Sequence, residues 1–394
     1  LTVRPVYVLS AARTPIGKFG GSFAALTPAE LGAAAARAAI ERSGLPAAQI
    51  DEVIFGHGRQ AGGGPNTARQ ASHRAGVPDS VPAFTVNKAC ASSLKAITLG
   101  ALSIGAGEND VVLAGGHECM SATPYLLPRA RFGTKMGHTE VVDGMYRDGF
   151  LCPLCGQLMG ETAENLVREY GISRAEQDAL AVESQRRAGE AIRAGRFAEE
   201  IVAVTIAGKK GEVAVALDEH PRPETTLDSI AKLPPVFEKN GTVHAGNSSG
   251  ITDGGAAVVL AAAEAVAKSG VEPLARVTAW ASAGVDPSRM GIGPVPAVRA
   301  LLEKTKRKLS DIDLIELNEA FAAQIIACER DLSLDMAKVN VNGGAIALGH
   351  SIGATGARIV TTLLHEMKRR RASSGIATLC ISGGMGMAVL FERD

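Results

Sequence analysis

The stretch VNKACASSLKAI, Val86 to Ile97, places one cysteine between a short strand-like run and an amphipathic helical run. Two readings of Cys90 are open. A free cysteine packs well as a small buried hydrophobe. A thiol at the start of a helix also faces unpaired N–H groups and the positive end of the dipole, which favour the thiolate. On the second reading the thiol should titrate below the value of about 8.5 for free cysteine. The small neighbours Ala89, Ala91, Ser92 and Ser93 would let a substrate approach closely.

The chain around this turn has an α/β pattern. VYVLSA (Val6 to Ala11), DEVIFG (Asp51 to Gly56), AFTVNKAC and DVVLAGG (Asp110 to Gly116) read as buried strands. A helix runs from Ser92 to Ile104. Another starts at Thr27, where Thr27 and Glu30 form a capping box and Pro28 suits the first turn. It continues to Arg42, and Gly44 ends it.

The pattern then returns. ARVTAWA (Ala275 to Ala281) matches the first strand, and a helix follows around Val298 to Lys306. IDLIELN (Ile312 to Asn318) matches DEVIFG, and GIATLCISGG (Gly375 to Gly384) matches DVVLAGG. GHSIGATGARIVTTLLHEM (Gly349 to Met367) matches the cysteine-bearing turn and its helix. The offsets are about 260–270 residues and the order is kept, which indicates a duplicated domain rather than a solenoid. Between the halves, Arg, Lys, Met and Pro become common. Helices are expected at Gly160–Tyr170 and Arg174–Ala194, the second capped by Ser173 with Glu176 three positions on. The expected organisation is an N-terminal half over 1–118, an inserted loop domain over 119–250 and a C-terminal half over 251–394.

The 394 residues are 46% hydrophobic but only 4% aromatic, so the cores must be built from Ala, Val, Ile and Leu. Basic and acidic residues balance at 41 each, which argues against a nucleic-acid binder held by a general positive field. No apolar run reaches the ~20 residues that span a bilayer, and the N-terminus reads as a first strand rather than a signal peptide. Six scattered cysteines fit reduced thiols and a cytoplasmic location better than a disulfide framework. Cys152 and Cys155 form a lone CxxC with no second ligand pair, so no metal site is expected.

Three further positions invite chemistry. His350 sits among Gly343, Gly344, Gly349, Gly353 and Gly356, and occupies in the second half the place of Cys90 in the first. If the halves pack about a pseudo-twofold axis, both helix starts could face one cleft, with imidazole as base to the thiol. The alternative is a satisfied core histidine. Cys380 ends an apolar strand, where it is either a packed thiol or an acid/base group. Asn318 follows a strand and precedes a helix, as a helix cap or a holder of water.

Together these segments resemble the thiolase family. NKACASSLKA, MGETAEN (Met159 to Asn165), HAGNSSGITDGGAA (His244 to Ala257), NEAFA, NGGAIALGHSIGATGARI and CISGGMG occur in the family's order across nearly the whole chain. The resemblance implies two similar α/β halves stacked in five layers, with the loop domain over the cleft, and a homodimer or homotetramer. It implies acyl transfer to and from coenzyme A with no tightly bound cofactor. Cys90 would be the acylated nucleophile, His350 its activator, and Cys380 the group that moves the α-carbon proton. His350 and a water on Asn318 would face one thioester oxygen, and the backbone N–H groups of Cys90 and Ser382 the acyl-cysteine oxygen. Ser249, Gly250, Met159, Met290 and Phe321 would hold pantetheine, and Arg222 and Ser229 the adenine and phosphate side.

The sequence departs from the family pattern at several points. Ser382 stands where Gly is usual, Ser351 where Pro follows the histidine, and Ala91 where Gly is frequent. Leu158 stands where many acetoacetyl-CoA-forming members carry His, which speaks for a degradative thiolase of longer 3-ketoacyl-CoA. The stretch from His117 to Met145 resembles the short-chain biosynthetic group, and its Pro124–His138 part resembles the loop that supports tetramers. The longer stretch outweighs the single residue, so an acetyl-CoA C-acetyltransferase is expected. A catalytically silent acyl-CoA or lipid binder is the alternative from another class.

Overall fold

The computed structural model describes residues 4–208 and 211–393. In chain order the main elements are β1 (Val6–Arg13), α1 (Pro28–Arg42), β2 (Glu52–Gly56), α2 (Thr67–Arg74), β3 (Ala83–Val86), α3 (Ser92–Ala106) and β4 (Val111–Cys119). The inserted segment carries α4 (Met159–Tyr170) and α5 (Arg174–Arg193). Then come β5 (Thr252–Ala262), β6 (Ala275–Gly284), α6 (Pro294–Thr305), β7 (Leu314–Leu317), α7 (Ala322–Leu332), α8 (Thr355–Arg370), β8 (Ser374–Ile381) and β9 (Met385–Glu392). The capping boxes of α1 at Thr27 and Glu30 and of α5 at Ser173 and Glu176 are both formed.

The duplication is explicit in the strand order. The first half runs β3-β2-β4-β5-β1 and the second β7-β8-β9-β6, with Val339 bridging Ile315 where a fifth strand would lie. In each half the inner strands are parallel and one strand, β5 or β9, runs antiparallel to both neighbours. The half-sheets join edge to edge where Tyr7 and Val8 of β1 pair with Arg276 and Ala275 of β6.

Side-chain alternation sorts the strands into layers. Ala256, Val258 and Leu260 of β5, and Leu379, Val389 and Phe391 of the second half, share one core with Leu94 and Ile97 of α3 and Ile359 and Leu363 of α8. The intervening Ala257 and Val259 face α1, while Ile376 and Leu390 face α6 and α7. The result is helix, sheet, helix pair, sheet, helix: the expected five layers. A run of residues ending in α3 is long and apolar enough to pass for a membrane span, but it lies mostly inside the protein, which explains its apolar surface all round.

One expected boundary is corrected. Residues 252–262 were assigned to the C-terminal half, yet β5 pairs on both sides with first-half strands. Without β5 the facing edges of β1 and β4 would carry unpaired backbone groups, so the first half closes at Ala262. The outermost residues of the first and last expected segments, 1–3 and 394, lie outside the described residues. The inserted segment is tied to the sheet by Arg13, fully buried, which bonds Glu200 at 2.6 Å and Asp218 at 2.7 Å.

The central helices meet at their N-terminal ends. The Ala357 N–H donates to Ser93 Oγ at 2.9 Å, and a Cβ on Gly356 would stand 2.3 Å from the backbone nitrogen of Leu94. Gly356→Ala should therefore cost about 1–3 kcal/mol by overpacking. The check is the midpoint of urea unfolding; an unchanged midpoint would mean that the helices separate without penalty.

Candidate active site

That crossing sets the positions of Cys90 and His350, because each lies in the turn leading into one of the two helices. After β3 the chain turns sharply at Ala89, whose φ of +47° is left-handed and strained for alanine. The turn is held from several sides. Asn87 Oδ1 accepts the Ala89 N–H, while Ser92 Oγ accepts the Lys88 N–H and donates to the Ala89 carbonyl. Such strain persists where the surroundings over-determine it, and here it presents a half-buried Cys90 at the head of α3.

On the other helix, Gly349 at φ +101° packs against Thr252. Thr252 Oγ1 accepts the His350 N–H at 3.0 Å and donates to the Gly250 carbonyl. His350 Nδ1 lies 2.7 Å from Thr355 Oγ1, which leaves Nε2 for the cavity. A hydroxyl can donate or accept, so Thr355 supports either ring tautomer.

A cavity of about 390 Å³ collects Cys90, His350, Cys380 and Ser382. Its walls include Met159, Met290, Phe321, Ser249 and Gly250, the residues expected along a pantetheine tunnel. Ile251, two residues after Ser249, bridges to His350. Arg222 and Ser229 do not line the cavity; they lie exposed, with the Arg222 N–H bonded to Gln185 and Ser229 closing a small cap with Thr226.

Asn318 is not a helix cap. The cap of α7 is Phe321, which makes no side-chain capping bond. The Asn318 N–H donates to the Thr378 carbonyl, but both side-chain amide atoms are buried without a protein partner among the described residues. An unsatisfied buried amide costs about 1–3 kcal/mol, so its placement two residues from the lining Ala320 fits a group kept for a bound water or thioester oxygen. Leu158 does not line the cavity. It pairs with Leu151 and donates its N–H to Glu161 Oε2, while its neighbour Met159 reaches the wall. Cys152 and Cys155 sit in a tight turn closed by the Gly156 N–H on the Cys152 carbonyl, and both remain free thiols.

Burial governs the protonation states. His350 is pushed down to about 3, first by burial and then by the Arg358 and Arg59 charges, so the ring is neutral at physiological pH and able to take a proton. The expectation of a lowered Cys90 pKa is corrected. Burial outweighs the help from Arg59 and from the N–H groups of Ser382 and Cys90 itself, leaving the thiol above its ordinary value. Cys380 is held well above its ordinary value by burial and by Cys90 and Cys328. The resting site is two thiols and a neutral imidazole.

Several lining residues carried no sequence signal, among them Met120, Phe150 and Phe237. Arg59 did carry one: it follows β2 at the C-terminal end of a parallel strand, where ligands of α/β sheets gather.

Comparison with known proteins agrees with this geometry. Residues 6–264 match the thiolase N-terminal domain and residues 271–393 the thiolase C-terminal domain. The acetyl-CoA acetyltransferase of Pseudomonas aeruginosa is 51% identical over 393 residues, covering both chains in full. The crystal structure of the Bacillus anthracis acetyl-CoA acetyltransferase superposes with a TM-score of 0.97 at 46% identity, over 99% of each chain. That of human mitochondrial 3-ketoacyl-CoA thiolase superposes at 0.96 and 43%, over the whole of both chains. The chain belongs to the thiolase family.

The protonation states give a measurable consequence. Alkylation by iodoacetamide needs the Cys90 thiolate, so inactivation of free enzyme should quicken by about tenfold per pH unit from pH 6 to 9. A plateau near pH 7 would show a resting thiolate and contradict the raised thiol.

Proposed function

We propose that the protein is an acetyl-CoA C-acetyltransferase, interconverting two acetyl-CoA with acetoacetyl-CoA and coenzyme A through acetyl-Cys90. The observation that carries this reading is the single cavity in which Cys90, His350 and Cys380 meet beneath an apolar tunnel. The full-length likeness to acetyl-CoA acetyltransferases supports it.

In the first half-reaction Cys90 attacks the thioester carbon of acetyl-CoA while His350 Nε2 takes the thiol proton. The N–H groups of Cys90 and Ser382, both directed at the sulfur, lie close to where the carbonyl oxygen becomes negative. Coenzyme A leaves with the proton. In the second half-reaction Cys380 passes its thiol proton to His350, and the resulting thiolate removes a proton from the α-carbon of a second acetyl-CoA. His350, and Asn318 through a water, stabilise the resulting enolate oxygen. The carbanion attacks acetyl-Cys90 and releases acetoacetyl-CoA. Ser382 retains the backbone donor that a glycine would supply.

The six free cysteines support a reducing compartment, and we place the protein in the cytoplasm. Tyr125, Leu127, Phe132 and Met136 are exposed on one stretch of the inserted segment, which supports assembly into a homodimer or homotetramer through it.

A degradative role rests on one feature: Met120, Met145, Phe150 and Ile352 make the cavity apolar as well. Thiolysis of acetoacetyl-CoA, 3-ketohexanoyl-CoA and 3-ketooctanoyl-CoA separates the readings, with Cys90→Ala as the inactive control. Preference for acetoacetyl-CoA is expected; preference for the longer chains would install the degradative role. Acyl-CoA binding without turnover of any would leave a silent binder.

Cys380→Ala should still form acetyl-Cys90 from acetyl-CoA, visible as a mass increase, while condensation falls by about 10²–10⁴-fold. A full condensation rate in this variant would remove Cys380 as the base.

A further inference from the structure

Arg59 is a cation in the cavity that the acetyl-transfer reaction does not use. It is 7% exposed and shares the cavity with Cys90 and His350. The guanidinium lies against Gly149 in the wide turn Tyr146–Phe150 that covers it. A Cβ on Gly149 would stand 2.3 Å from Nε and 2.4 Å from Nη2, so the covering turn leaves room for this side chain only as glycine. Nε has no hydrogen-bond partner among the described residues.

The nearby carboxylates are engaged elsewhere. Glu118 accepts the N–H groups of Gly58, Arg59 and Gly353, and lies 3.2 Å from His57 Nε2. Asp143 lines the cavity but turns Oδ1 to the Met145 N–H. Neither is within ion-pair distance of Arg59 among the described residues. A buried cation without a counter-ion is costly. Met120, Met145, Phe150 and Ile352 share the cavity with it, apolar walls suited to methylene groups.

We propose that Arg59 receives a carboxylate at the far end of the acyl chain, so that the protein also cleaves short 3-oxoacyl-CoA thioesters that end in a carboxylate. This rests on the thiolase reading of the cavity and extends its substrate class. With 3-oxoadipyl-CoA, Cys90 sulfur bonds to C3 as His350 takes its proton. The C2–C3 bond breaks, its electron pair stays on C2, and Cys380 protonates C2 to give acetyl-CoA. Succinyl remains on Cys90 with its free carboxylate held by Arg59. Free coenzyme A then displaces Cys90, its sulfur bonding to the succinyl carbon and its proton returning to the enzyme, to give succinyl-CoA. A planar guanidinium suits such an end because it binds a carboxylate through two parallel hydrogen bonds.

The test compares kcat/KM for thiolysis of 3-oxoadipyl-CoA and 3-oxohexanoyl-CoA, which share six carbons and differ in a carboxylate against a methyl terminus. Wild type should prefer 3-oxoadipyl-CoA by tenfold or more. Arg59→Met should lower that ratio at least tenfold, and Arg59→Lys should retain part of it; Arg59→Gln serves if the Met variant does not fold. A wild-type preference for the methyl terminus, or a ratio unchanged by Arg59→Met, overturns the proposal. So does an equal loss on both substrates, which would place Arg59 in service of Cys90 instead. Acetoacetyl-CoA is run alongside: if wild type fails to cleave it, the thiolase reading itself has failed, and not only the role of Arg59.

Discussion

Two helix ends pressed together at a glycine determine most of what this protein can do. Gly356 lets α8 approach the backbone of α3 at Leu94, and Ser93 ties the two ends by bonding the Ala357 N–H. Each helix brings a reactive group in the turn before it. The sheets on either side need this contact too, since both bury one face on the same helix pair. Packing and chemistry therefore share one constraint, and the precision of the Cys90–His350 arrangement comes from secondary structure rather than from a mobile loop.

The neutral state of its thiols and imidazole is the second theme of the site. Nothing in the cavity pre-ionises Cys90 strongly enough to overcome burial, and the same burial keeps His350 neutral. A neutral pair avoids a standing thiolate exposed to oxidation. In the proposed mechanism the N–H groups of Cys90 and Ser382 would need no reorganisation as charge develops, because the strained turn at Ala89 and the end of β8 fix them beforehand.

Much of this was legible in the sequence, for physical reasons that differ by residue. Thr27 with Glu30 and Ser173 with Glu176 announced helix starts, because capping is a local interaction written within four residues. The duplicated turn–helix units announced that Cys90 and His350 are counterparts. The antiparallel strands β5 and β9 were not foreseen. TDGGAAVVLAA and MGMAVLFE are buried on both faces, so they lack the alternation that marks a strand. The sequence predicts a lowered Cys90 thiol and the structure raises it, because a helix terminus can be read from sequence and depth of burial cannot. The position of Arg59 after β2 is legible in sequence, but its burial depends on Gly149, ninety residues away, and on Glu118 being occupied by backbone N–H groups.

The placement of β5 has a consequence for how the chain is made. β5 is central in the first half-sheet, yet it follows the whole inserted segment. While the ribosome is still producing residues 120–250, the strands already released have a gap between β1 and β4, and each presents an open, apolar edge to its surroundings. At about 5–20 residues per second this gap stands open for many seconds. The first half of the protein is thus finished only when two-thirds of it has been synthesised, and nascent chains in that interval are the form most exposed to mispairing and most in need of a chaperone.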